Sequence, residues 1–353
     1  MAHAWASRSA IAVVLSLLVL GGPPALGQSL APARGAVAGT GVFTGFVENM
    51  DRSLAFYHDV FGMDVPAMPA SGERPYNAPN PRLFAMFQIA GAKERHQSAR
   101  VPGTPLAIEL MEIQNVEHAT LALRIHDPGV ATPVLVVRDI DAALARVTQA
   151  SLPILTPGGA PVPLTDRSRA VLIRDIDGRP VQLVQPVTLP VSTTPSTNNI
   201  VDIGLSIAVD DMDRTLRVYR DVLGFTVDSD IPSDNALRAL TGLSNATIRH
   251  ARVRPPGSAL SIAFVEYTGL ERTPLRARIQ DRGSARLQLR ALNIDALVDA
   301  VKAAGLSVIS EGGVAVPIPP NFKGALVADP NNFFLTLFEP CDGCARLGAA
   351  TPR

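Results

Sequence analysis

The stretch VENMDRSLAFYHDVFGMDV, starting at Val47, returns as VDDMDRTLRVYRDVLGFTV, starting at Val209. In each copy a strand end leads into an amphipathic helix. Met50, Leu54, Tyr57 and Phe61 in the first, and Met212, Leu216, Tyr219 and Leu223 in the second, recur at helical spacing and give the helix one inward face. Asn49 and Asp211 stand where an N-cap belongs, and Asp51 and Asp213 suit the positive end of the helix dipole. Gly62 and Gly224 supply a left-handed stop. The pattern predicts short, bounded helices between strands, and an internal duplication.

A weaker pair of repeats lies downstream of each strong one: VVRDIDAALARVTQASLPIL from Val136 and RALNIDALVDAVKAAGLSVI from Arg290, capped by Asp139 and Asn293. Each runs on through a Gly-Gly turn to two more strands, joined by a tight hairpin at Asp177-Gly178 or Asn331-Asn332. His96 and His250, Glu112 and Glu266, and Gln185 and Glu339 are each 154 positions apart, whereas Val47 and Val209 are 162 apart. The halves therefore differ by eight residues between the leading helix and the strand carrying His96. That interval contains PASGERPYNAPNPRLF, whose Pro, Gly and Asn predict an irregular loop over the domain mouth. The divisions expected are a leader over 1–27, a flexible lead-in over 28–39, a first domain over 40–188 (modules 1 and 2), a linker over 189–199, a second domain over 200–340 (modules 3 and 4), and a tail over 341–353.

The 353 residues are 47% hydrophobic and 18% charged, the profile of a chain that buries sizeable cores. Thirty-two basic residues balance thirty-two acidic ones, so no global field favours nucleic acid or anionic lipid, and aromatics are too few for base stacking. Arg8, the apolar run Ile11 to Leu20 and the small-residue site Ala25-Leu26-Gly27 read as a secretory signal cleaved before Gln28, which predicts a periplasmic or secreted protein without a membrane anchor. In an exported chain, Cys341 and Cys344 form one local disulfide.

Four modules of strand, helix and three strands, opened by V-x-D/N-M-D-R-S/T-L-x-x-Y-x-D-V-L/F-G and closed by D-P-x-N/G…L-F-E-P, resemble the vicinal oxygen chelate superfamily: the glyoxalase, bleomycin-resistance and extradiol-dioxygenase group. The resemblance spans about Thr40 to Pro340 and implies an α+β fold of four βαβββ modules paired into two cup-shaped domains. It further implies a divalent metal held by His or Gln on first strands and Glu on last strands. The last-strand positions align with Glu112, Gln185, Glu266 and Glu339, and the first-strand positions with Val42, Thr132, Gly204 and Arg286, none of them His, Gln or Glu. A divalent ion would be under-coordinated there, so no metal or other cofactor is expected, and Arg286, beside Glu266 and Glu339, takes the place of the cation in the second cup.

Alternation puts Arg286, Gln288 and Arg290 on one strand face, which suits an anionic small molecule. Arg95-His96 and Arg249-His250 precede turns into the Glu-bearing strands, so each His lies on the antiparallel neighbour, on a face that depends on register. The expected ligand-binding residues are therefore His96, Glu112, His250, Glu266, Arg286, Gln288, Arg290 and Glu339. The reading leaves open whether the protein binds or converts its ligand, and whether the two modules of one half close a cup together or exchange partners between halves. The alternatives are a metal-dependent lyase, isomerase or dioxygenase, in which His96 or His250 joins Glu112, Glu266 or Glu339, and a structural or partner-binding module.

Overall fold

A computed structural model describes residues 37–190 and 198–342 together with Cys344. The expected leader lies outside the described residues, as does most of the linker. Module 1 comprises β1 (Val37–Phe46), α1 (Met50–Phe61), α2 (Pro81–Phe87), β2 (Lys93–Arg100) and β3 (Ala107–Gln114). Module 2 comprises β4 (Ala131–Val137), α3 (Ile140–Gln149), β5 (Val162–Pro163), β6 (Arg169–Arg174) and β7 (Pro180–Gln185). Module 3 runs through β8 (Ile200–Val209), α4 (Met212–Leu216, continued by a π-helical turn over Arg217–Val222), β9 (Thr226–Ile231), α5 (Asn235–Thr241), β10 (Thr247–Arg254) and β11 (Ile262–Thr268). Module 4 runs through β12 (Ala285–Ala291), α6 (Ile294–Ala303), β13 (Ser307–Val308), β14 (Val316–Ile318), β15 (Phe322–Ala328) and β16 (Phe334–Pro340). The lead-in expected to reach Gly39 is shorter, because Val37 to Gly39 already pair in β1.

The expected caps form. The side chains of Asn49, Asp139, Asp211 and Asn293 each accept the N–H of the residue three positions on. Gly62 ends α1 at φ 70°. Met50, Leu54, Tyr57 and Phe61 are buried, as are Met212, Leu216, Tyr219 and Leu223. Cys341 and Cys344 are disulfide-bonded. The stretch between leading helix and β2 is the longer one in module 1, and it is only partly irregular: Asn80 caps and Pro81 opens the short helix α2.

The sheets pair across the halves. One eight-stranded sheet runs β13-β15-β16-β12-β1-β3-β2, with β14 on β15, and joins module 1 to module 4. The other runs β5-β6-β7-β4-β8-β11-β10-β9 and joins module 2 to module 3. The seams are antiparallel first strands, β1 on β12 and β4 on β8. The segments 40–188 and 200–340 are thus not separate cups, and the described residues knit into one compact unit. The connection out of β3 crosses to the other sheet beside the connection out of β11. Leu121 N–H donates to Arg282 O at 2.9 Å, Arg282 N–H to Ala119 O at 2.8 Å, and Leu275 N–H to Pro128 O at 2.8 Å.

Modules of the same half meet instead through their helices. Tyr219, on the helical stretch after β8, donates its hydroxyl to Asp329 Oδ2 at 2.9 Å, in the β15–β16 turn. Tyr57 on α1 is hydrogen-bonded to Asp175, in the β6–β7 turn, in the same way. Arg179 is buried and donates to Ala131 O at 3.2 Å and to Gly283 O and Ser284 O at 2.8 Å each, tying module 2 to the strand start of module 4. Buried polar groups of this kind stabilise only when paired, and these are.

Candidate functional site

The four repeated last-strand positions serve the helices rather than the cups. Met50 N–H donates to Glu112 Oε2 at 3.0 Å, Ile140 N–H to Gln185 Oε1 at 3.1 Å, and Ile294 N–H to Glu339 Oε2 at 2.7 Å. Glu266 receives the Met212 N–H. Each side chain thus satisfies one of the orphan N–H groups of its own module's leading helix. Glu112 also accepts from Arg95 Nη2 at 2.8 Å and from Tyr76 Oη at 2.6 Å. Burial pushes its carboxyl up, but the Tyr76, Met50 and Arg95 hydrogen bonds outweigh that and hold it below the usual range.

Register decides the histidines. Arg95 lies opposite Glu112 and His96 opposite Met111, while Arg249 lies opposite Glu266 and His250 opposite Val265. Each His therefore points to the sheet face away from the Glu it was expected to join, which removes the metal sites built from His96 or His250 with Glu112, Glu266 or Glu339.

The concave face of the first sheet carries a different cluster. Arg286 Nη2 lies 3.1 Å from Glu109 Oε2, its Nε donates to Thr44 Oγ1 at 3.2 Å, and its Nη1 donates to Thr336 Oγ1 at 3.2 Å. Thr44 in turn donates to Glu109 Oε2 at 2.7 Å. Phe87 and Phe46 flank the guanidinium, with ring centroids 4.9 and 5.9 Å from Cζ. Burial pulls the Arg286 pKa below its ordinary value and Glu109 opposes that. The cluster draws one side chain from each of the four central strands: Thr44 and Arg286 are paired across β1 and β12, Thr44 and Glu109 across β1 and β3.

A cavity of about 690 Å³ opens beside this cluster. Arg286, Gln288, His96, Glu94 and Glu109 line its polar side, and Met86, Met111, Ile318, Phe322 and Phe338 line its apolar side. Asn77, Asn80 and Leu83 bring the predicted mouth loop and α2 to its rim. The cavity thus gathers His96, Arg286 and Gln288 of the expected residues. Arg290 does not line it, since its Nη2 donates to Ala38 O at 3.0 Å near the strand end. Glu112, Glu266 and Glu339 are helix-capping groups. His250 lies in the other cup, its buried Nδ1 3.4 Å from Asp234 Oδ2 without a hydrogen bond.

In that second cup the positions matching Thr44, Arg286, Glu109 and Thr336 hold Ser206, Thr132, Ala263 and Gln182, as the strand pairings show. Leu237 and Leu240 of α5 pack there with Ala170, Leu172, Ile248, Val265 and Tyr267. The cup expected to combine Arg286 with Glu266 and Glu339 is replaced by one that combines Arg286 with Glu109.

The residues missed by sequence are Thr44, Glu94, Glu109 and Thr336. The first-strand positions assigned to Val42 and Gly204 are in fact Thr44 and Ser206, because the cup residue stands five positions before the helix cap in modules 1 and 3 but seven before it in modules 2 and 4. The available signal was the pair of acids in IELMEI: Glu109 and Glu112, three apart, must lie on opposite faces of one strand.

A divalent metal, which the fold family uses, does not fit these donors. The four central positions of the first cup supply one carboxylate, two hydroxyls and a permanent cation, and those of the second supply no carboxylate at all. Among the described residues no group of three His, Cys, Asp or Glu is arranged to hold a metal ion.

The fold and the four-strand site define a glyoxalase-type double cup. The family profile described as "Glyoxalase/Bleomycin resistance protein/Dioxygenase superfamily" matches residues 41–183 and 200–317, and the chain belongs to that superfamily. Glyoxalase I from Zea mays superposes with a TM-score of 0.54 at 13% identity, covering 90% of this chain and 97% of that one. A mutant of the same maize enzyme gives 0.55 at 14% identity, covering 87% and 94%. A putative dioxygenase from Bacillus subtilis gives 0.52 at 13% identity, covering 91% and 92%. At such identities the likeness is one of fold. Among curated proteins none matches the chain in sequence.

Proposed function

We propose that the cup shared by modules 1 and 4 binds a small organic molecule without a resident divalent metal. The observation that carries this reading is the Arg286 guanidinium, tied to Thr44, Glu109 and Thr336 between the four central strands. A fixed cation there repels a second one. The volume of about 690 Å³ falls in the usual range for small-molecule sites. Arg286 is balanced by Glu109, and Glu94 is balanced only when His96 is protonated, so the cavity favours a ligand with a single carbonyl or carboxylate group over a polyanion. The oxygen end faces Arg286, His96 and Gln288, and an apolar body packs on Met86, Met111, Ile318, Phe322 and Phe338.

Elemental analysis of protein purified without chelator, followed by calorimetric titration with benzoate and phenylacetate, tests the reading. Binding that survives chelation and weakens in Gln288→Leu supports it. One equivalent of bound zinc, nickel, manganese or iron that is lost in Glu109→Gln overturns it. Export rests on residues 1–27 alone, and is tested by whether the chain recovered from the periplasm or medium begins at Gln28.

A further inference from the structure

Glu94 and His96 stand two residues apart on one face of β2, and both line the cavity. His96 Nδ1 lies 2.9 Å from Glu94 Oε2, and Glu94 Oε1 accepts from Asn77 Nδ2 at 2.9 Å. An ionised carboxylate can only accept, so the ring hydrogen sits on Nδ1 and the neutral imidazole keeps its lone pair on Nε2. That second nitrogen has no hydrogen-bond partner among the described residues. Asn77 Nδ2, a donor, also lies 3.2 Å from Nδ1, but the charged Glu94 oxygen is nearer and Asn77 already donates to Glu94 Oε1, so the carboxylate sets the tautomer. Across the same cavity Arg286 spends three of its five N–H groups on Thr44, Thr336 and Glu109 and keeps two. One cavity therefore presents an oriented base and a fixed donor for a developing negative charge, the two parts that a proton transfer from carbon requires.

We infer that His96, oriented by Glu94, is the base of a proton-transfer reaction on a carbon acid held in this cup. Nε2 takes the proton from a carbon next to a carbonyl. The C–H electron pair becomes the C=C bond of an enolate, and the carbonyl oxygen takes the charge and a hydrogen bond from Arg286. Return of the proton to the other face or the other carbon gives an isomer, with no oxidant, reductant or second substrate consumed. His96 is the catalytic residue and Glu94 a positioning residue. The hydrogen bond to Glu94 raises the His96 pKa against the effect of burial; Glu109 raises it further and Arg286 lowers it, so the base becomes active above the ordinary imidazole range. The inference rests on the cup reading above and adds a reaction class to it.

The test uses 5-nitrobenzisoxazole, whose C–H proton loss to a base breaks the ring N–O bond and releases a coloured cyanophenolate. The wild-type protein is expected to open it faster than equimolar imidazole, and His96→Asn to lose about 10²-fold or more. Glu94→Gln is expected to keep part of the rate and move the pH midpoint downward, because the neutral amide no longer favours the imidazolium. Equal rates for wild type and His96→Asn overturn the inference. Calorimetry with the unreactive 5-nitrobenzimidazole separates the two readings: binding without turnover sinks the base and leaves the cup, while neither binding nor turnover sinks both. Nitrogen-15 NMR needs no ligand at all. It should show neutral His96 protonated on Nδ1, and a hydrogen on Nε2 overturns the inference independently.

Discussion

Removing one member of the Arg286–Glu109 pair should cost far more than removing both. The two side chains are 6% and 12% exposed, so in Glu109→Ala the guanidinium stays desolvated between Phe46 and Phe87 with only the Thr44 and Thr336 hydroxyls as acceptors. Breaking a buried pair from one side costs about 3–5 kcal/mol, which for a chain of this size is on the order of 10 °C in melting temperature. Arg286→Met should cost a similar amount, because Glu109 then keeps Thr44 as its only charge-stabilising contact within the cluster. In the double variant Arg286→Met/Glu109→Leu both charges are gone and the volume is nearly kept, so the net change should fall within about 1 kcal/mol of wild type. With Glu109→Leu as the matching single variant, at a cost like that of Glu109→Ala, the coupling between the two sites is then about 5 kcal/mol or more. Guanidinium denaturation followed by far-UV circular dichroism measures it; Trp5, the only tryptophan, lies in the expected leader and offers no useful fluorescence. Single effects that simply add, or a Glu109→Ala cost below about 0.5 kcal/mol, refute the idea that this ion pair is desolvated in the folded protein.

Glu339→Ala should destabilise by about 0.5–2 kcal/mol, as a lost helix cap does, and leave calorimetric benzoate binding unchanged, since Glu339 accepts the Ile294 N–H and lies off the cavity. Tyr219→Phe should cost about 1–3 kcal/mol in chemical denaturation by leaving Asp329 without its phenol donor in a buried seam. Asp175 gives a pH signature. Burial pushes its carboxyl up to about 6, so the folded state holds a proton that the unfolded chain releases near its ordinary value. The stability this contributes is complete at low pH and is lost as pH rises from about 4 through about 6. Asp175→Asn, compared with wild type in denaturation curves between pH 4 and 7, should flatten that fall. Thr44→His/Arg286→His/Thr336→Glu, with Glu109 retained, rebuilds two imidazoles and two carboxylates on the four central strands, and should take up one equivalent of zinc or nickel by elemental analysis where wild type takes none.

Much of the fold was written locally. Capping by Asn49, Asp139, Asp211 and Asn293, the stop at Gly62 and the hairpin at Asn332, with φ 64°, each depend on residues within a few positions of one another, and sequence displays these directly. Which first strand meets which was not local. β1 joins β12 across more than 240 residues, and the pairing comes with two crossing connections, whose hydrogen bonds between Ala119–Leu121 and Arg282 exist only once both halves are folded. The site was misread for a related reason. The offset of 154 picks out positions that repeat, and Glu112, Gln185, Glu266 and Glu339 repeat because every module must cap its leading helix. The positions facing the cups hold Glu109, Gln182, Ala263 and Thr336, which share no chemistry, so repetition hides them.

That contrast explains how one duplicated frame holds two unlike cups. Helix caps and the Tyr57–Asp175 and Tyr219–Asp329 seams lie on the convex side, where every module meets the same demand and a changed residue costs stability in any copy. The concave side carries no such shared demand. Pairing across the halves makes each cup from one strong-repeat and one weak-repeat module, and the segment leading into β2 or β10 then decides the outcome. In module 3 that segment forms β9 and α5, and the leucines of α5 fill the cup. In module 1 the segment is eight residues longer and runs along the edge of β2, where Asn77 N–H donates to Glu94 O at 2.9 Å, before α2 sets Phe87 over the guanidinium. The course of this segment therefore separates the two cups: the path through Asn77 and α2 leaves the Glu94, His96 and Arg286 side of the first one open, where α5 closes the second.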